Sequence, residues 1–128
     1  MRDSPAVSSE PTPLDPSGPV DELLRCELRP ERGTIRLRLA GTLDMATAPQ
    51  LDEQIAELHA AGWKLIVVDL GGLTFMDSSG LRLLLRWDAE ARKDGFEIQL
   101  VPGPAPVQRV FELTGTTDRL TFVGPTDP

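Results

Sequence analysis

The chain has 128 residues, 40% of them hydrophobic and 26% charged, which suits one ordinary globular domain. Its formal net charge of -7 and pI near 4.6 argue against nucleic acid and against an anionic membrane surface, because both are gripped by cations. No apolar run approaches the ~18 residues of a spanning helix, the N-terminus lacks a signal-peptide core, and Cys26 has no second cysteine to pair with. A cytoplasmic protein is expected.

Residues 1–20 contain five prolines among Ser, Thr, Asp and Glu. Such a segment buries too little apolar area to offset its ordering entropy, so a disordered tail is expected there. Residues 21–123 are read as one domain and 124–128 as a short C-terminal tail.

Two strands open the domain. Leu24, Cys26 and Leu28 alternate with Arg25, Glu27 and Arg29, and Ile35, Leu37 and Leu39 alternate with Thr34, Arg36 and Arg38. Period-two alternation gives strands with one wet face. Pro30-Glu31-Arg32-Gly33 reads as the turn between them. Gly41-Thr42-Leu43-Asp44 closes the second strand. Thr47 is a candidate cap and Pro49 fits the first turn of a helix. Leu51, Ile55 and Leu58 then make a helical stripe, and Gly62 marks its stop. Leu65 to Val68 is a continuous apolar run, expected as a central strand. A second helix is expected from about Ser79 to Lys93. Phe96, Ile98 and Leu100 mark a further strand; Val107, Val110 and Phe111 a third helix; Leu120 and Phe122 a last strand. The order ββαβαβαβ predicts an α/β fold: a mixed, mostly parallel sheet of 4–5 strands with helices mainly on one face.

Asp77-Ser78-Ser79-Gly80 stands where a strand hands over to a helix. One of the first three side chains suffices to cap the helix. A serine nucleophile is disfavoured: G-x-S-x-G is absent, and His59, the sole histidine, lies within the first helix. A phosphate cradle lacks its lysine and its glycine pattern. Asp69 and Asp77 lack partnering His or Cys ligands for a metal. Covalent modification remains. A phosphate on Ser78 would add about -1.5 to -2 charge at a helix N-terminus, which tolerates anions. That would change the surface shown to a partner without breaking the fold.

Three stretches carry a resemblance to a known family: LAGTLDMATAPQL (39–51), LIVVDLGGLTFMDSSGLRLLL (65–85) and VQRVFELTG (107–115). In order and spacing they resemble a STAS domain, and more narrowly the anti-sigma factor antagonists of bacteria, over residues 23–123. The resemblance implies a regulatory protein and not an enzyme, with no cofactor of its own. Its unphosphorylated form would bind an anti-sigma serine kinase, an ATPase of the histidine-kinase-like fold, and so release a sigma factor in partner switching. The kinase would bring ATP and Mg²⁺ and phosphorylate Ser78; a serine/threonine phosphatase would reverse it. Asp44 would lie near Ser78, as partner contact or as a local cap, and Asp77 would orient the serine or cap the helix. The implied partner surface is Asp44, Met45, Asp77, Ser78, Ser79, Gly80, Leu83 and Trp87, and a weak homodimer is compatible with it. Relatives usually add a helix after the last strand. Residues 123–128, VGPTDP, are not expected to form one. A STAS scaffold, or a small-ligand or lipid-transport accessory module that is never phosphorylated, is the alternative.

Leu81, Leu84 and Leu85 form the core stripe expected of the second helix. Leu83 and Trp87 lie on another face, which is either buried under neighbouring helices or an exposed apolar patch beside Ser78.

Overall fold

In the computed structural model, residues 23–124 are described; the tail expected at 1–20, and all but the first residue of the tail expected at 124–128, lie outside them. Strands β1 (Leu24–Glu31) and β2 (Thr34–Leu43) form a hairpin, followed by α1 (Ala48–Ala60), β3 (Leu65–Met76), α2 (Ser78–Asp94), β4 (Glu97–Val101) and α3 (Ala105–Thr114). The sheet order is β1-β2-β3-β4. β1 and β2 are antiparallel, while β2–β3 and β3–β4 are parallel, joined through α1 and α2. The expected fold class stands.

The alternation decides the layers. Ile35, Leu37 and Leu39 of β2, Ile66, Val68 and Leu70 of β3 and Ile98 and Leu100 of β4 are all at most 3% exposed, in one cluster with Leu51 and Ile55 of α1, Leu84 of α2 and Val107 and Phe111 of α3. The helices therefore share one face of the sheet. The other face carries Arg36, which meets Asp69 at 3.5 Å. No helix among the described residues is long and apolar enough to cross a membrane.

Four expectations need correction. The first turn is tighter than Pro30–Gly33: pairing continues to Glu31–Thr34, leaving Arg32 and Gly33, both with positive φ (43° and 85°), as a two-residue turn. That geometry matches the right-handed twist of a hairpin, and Pro30 is tolerated because β1 is an edge strand. Leu28 does not face the core; it is 45% exposed. Only the other end of β1 lies beside α1, where Gln50 Nε2 donates to the Leu24 carbonyl at 2.9 Å. β3 runs well past Val68, to Met76. The last strand shrinks to one bridge, Phe122 beside Leu100.

Glycine is required at Gly41. Its φ of +107° is left-handed, and an added Cβ would collide with the Leu23 carbonyl. Cys26 is half-buried on β1, and burial pushes its thiol up from the usual value, against the opposing pull of the Gln50 side chain. It stays a protonated, weakly nucleophilic thiol at neutral pH.

Candidate functional site

The C-terminal ends of β2 and β3 lie side by side, and two loops leave from there. The backbone N–H of Asp77 donates to the Leu43 carbonyl at 3.1 Å, which fastens the start of α2 to the end of β2. With the β2–β3 pairing that ends at Leu43 and Met76, this bond brings the Asp44 and Asp77 loops together, 33 residues apart in sequence.

Each aspartate organises its own loop. Asp44 Oδ1 accepts from the N–H groups of Ala46 and Thr47 at 3.0 and 3.1 Å. Thr47, expected as a cap, makes no side-chain cap on α1; its hydroxyl donates to the Thr42 carbonyl at 2.8 Å and accepts from the Asp44 N–H at 3.0 Å. Asp77 is the N-cap of α2, its Oδ1 accepting from the Ser79 N–H at 2.8 Å. Capping is thus assigned to Asp77, which frees both serines from it. Asp77→Ala should cost about 1 kcal/mol, the usual value of such a cap, read as a lower denaturation midpoint; a midpoint unchanged from wild type would deny the cap.

Ser78 is the first residue of α2 and is exposed. Its hydroxyl stands 3.4 Å from Arg82 Nη1, one turn on. Ser79 is half-buried and Gly80 buried. A Cβ on Gly80 would meet Leu43 and Met76 side-chain atoms at 2.8–2.9 Å. The glycine therefore lets the first turn of α2 seat closely on the strand ends, which sets where Ser78 stands.

An open groove of about 320 Å³ runs beside the serines. Met45, Pro49 and Asp52 line one side; Ser79, Arg82 and Leu83 line the other. Met45 is 77% exposed and Phe75 49%. Of the residues expected at the site, the strand-end bond brings together Asp44, Asp77, Ser78, Ser79 and Gly80, and the groove joins Met45 and Leu83 to Ser79.

Trp87 is different. Of the two readings of this face, buried or exposed, the structure takes the buried one, so neither side chain is an exposed contact: Leu83 is 6% and Trp87 7% exposed. Trp87 lies edge-on to His59 and Phe96, with ring centroids 6.4 and 6.5 Å away. Its indole N–H donates to Asp52 Oδ1 at 2.8 Å, and the same oxygen meets Arg86 Nη2 at 3.2 Å. The second apolar face of α2 is the seam that holds α1. Leu83 forms groove floor, and Trp87 supports it from within.

Sequence reasoning missed Phe75 and Arg82. Arg82 was readable, being four residues after Ser78 on a helix. Phe75 was not, because the β2–β3 register slips between Gly41 and Thr42. Thr74 and Phe75 then both face outward in succession, which simple alternation does not give.

Ser78 has an arginine and no histidine beside it among the described residues. A protein-family model described as "Mlab, STAS domain" matches residues 26–123. The anti-sigma-B factor antagonist of Staphylococcus aureus is 29% identical over 82 residues, covering 64% of this chain and 76% of that protein. The solved structure of the anti-sigma factor antagonist SpoIIAA in its unphosphorylated form superposes with a TM-score of 0.68 at 27% identity, over 80% of this chain and 90% of that one. The phosphorylated form of SpoIIAA, a cell fate determinant of Bacillus, gives a TM-score of 0.63 at 26% identity, over 80% of this chain and 93% of that one. With a family model spanning residues 26–123, nearly the whole of the described domain, this chain belongs to the STAS-domain family.

Proposed function

We propose that the chain is an anti-sigma factor antagonist that acts in the cytoplasm as a phosphorylation-controlled ligand. Unmodified, it binds an anti-sigma serine kinase of the histidine-kinase-like ATPase fold through the groove and its rim, and the sigma factor is released. Asp44, Met45, Ser78, Ser79 and Leu83 form that surface; Asp77 and Gly80 position it, and Trp87 braces it. The Ser78 hydroxyl oxygen attacks the γ-phosphorus of ATP, ADP leaves, and the proton passes to a base of the kinase. Phosphoserine then closes the surface to the kinase, and a serine/threonine phosphatase restores it by hydrolysis. The chain is substrate and ligand in this cycle and not an enzyme.

The observation that carries this reading is an exposed serine on the first turn of a helix whose cap is already supplied by its neighbour, Asp77. Its hydroxyl is free for another use. That SpoIIAA exists in unphosphorylated and phosphorylated forms supports the same use here. Incubation with the cognate kinase and ATP should add one phosphate to Ser78 and none to Ser78→Ala; modification at Ser79 alone would overturn the assignment.

A second reading is a STAS scaffold or lipid-transport accessory module that is never phosphorylated. It is favoured by the description of the matching family model, which names Mlab. A single unmodified mass for the native protein across growth and stress conditions would support it.

A further inference from the structure

We propose that Arg82 is the phosphate-holding residue of the switch: once Ser78 carries a phosphate, the Arg82 guanidinium closes on it and pins it along α2. This rests on Ser78 as the modified residue and adds the group that receives the modification.

Ser78, Arg82 and Arg86 follow one another at intervals of four, on one stripe of α2. Arg82 Nη1 already stands 3.4 Å from Ser78 Oγ, with both side chains exposed. A neutral hydroxyl at that distance gives a guanidinium little. A phosphate on the same oxygen offers three strong acceptors and nearly two charges, the partner that guanidinium binds with two parallel N–H bonds.

The neighbouring charges make Arg82 the one suited to this. Asp77, adjacent in sequence, is a carboxylate that repels a phosphate, and its Oδ1 already takes the Ser79 N–H. The helix N-terminus is therefore partly used. Asp44 is turned into its own loop. Arg86 is held by Asp52 at 3.2 Å and lies over the Trp87 ring at 5.8 Å. No carboxylate pairs with Arg82 among the described residues. A dianion at Ser78 thus meets one repelling carboxylate and one guanidinium that has no carboxylate partner among the described residues. Arg82 also lines the groove, so closing on the phosphate holds that charge at the groove's mouth.

The test uses the full chain with phosphoserine installed at position 78 during translation, so that no kinase is involved. The phosphorus NMR signal is titrated through the second phosphate pKa, which lies near 6 for a free phosphoserine. A guanidinium favours the dianion and lowers that pKa. The unsubstituted chain should titrate about half a unit or more below R82Q, with R82K between them because lysine keeps the charge and loses the fork. The Arg82 Nε–H signal should move in the same titration. Equal pKa values in the wild-type and R82Q phosphoproteins, or an Arg82 signal that does not move, would overturn the clamp. A clamp seen here, with Ser78 never modified by any kinase, would instead place the failure in the functional reading. Arg82 is exposed, and a melting midpoint shared by all three proteins verifies that the fold is not what changed.

Discussion

Trp87→Ala is expected to destabilise the protein by about 3–5 kcal/mol, the cost of removing a large buried aromatic. For a folded unit of roughly this size that is a fall in melting midpoint of about 12 °C or more. The indole is 7% exposed and edge-on to His59 and Phe96, so alanine leaves a cavity between α1, α2 and the start of β4. The lost hydrogen bond adds less. Asp52 is only half-buried and keeps Arg86 at 3.2 Å. Trp87→Phe separates the two contributions: it keeps most of the ring volume, loses the N–H, and should cost only about 1–2 kcal/mol. Kinase affinity of the molecules that remain folded should stay near wild type. An unchanged midpoint with weakened binding would instead make Trp87 a surface anchor.

Phosphorylation of Ser78 is expected to weaken kinase binding by about a hundredfold or more, about 2.8 kcal/mol at 1.4 kcal/mol per tenfold. The reason is desolvation. Met45 and Phe75 present apolar surface on the same end of the sheet as Ser78, and a partner covering it must strip water from a dianion or lose the contact. A charge left unpaired against a partner surface costs several kcal/mol. Ser78→Ala removes the acceptor and adds no charge, so it should bind like the unmodified protein and resist inactivation. Ser78→Asp carries a single charge and should fall between the two. Titration calorimetry with the purified kinase measures all three. Equal affinity of the phosphorylated and unmodified forms would remove the switch.

Much of this was legible in the sequence, for local reasons. Ile35, Leu37 and Leu39 announced a half-buried strand because side chains alternate by geometry alone. Gly62, Gly95 and Gly115 stand just past three helices with positive φ, the left-handed conformation that glycine adopts without penalty. Asp77-Ser78 marked a helix start because few residues satisfy orphan N–H groups. The resemblance carried by D-S-S-G-L then pointed to one of the two serines.

What the sequence determined by itself is the first four strands and the three helices, their order and the serine at the strand-to-helix turn, since each follows from backbone preference within a few residues. Tertiary structure alone decided the rest. Whether Leu83 and Trp87 face water depends on α1, whose Asp52 lies 35 residues away from Trp87 and bonds to its indole. Whether Leu28 is core depends on how far the helix layer extends over an edge strand. Phe75 is exposed because a register slip between β2 and β3 turns two consecutive residues outward. Asp44 comes beside the Ser78 turn through the Asp77 N–H bond to the Leu43 carbonyl. Each of these is a meeting between segments far apart in the chain, and local periodicity carries no information about which distant segment arrives.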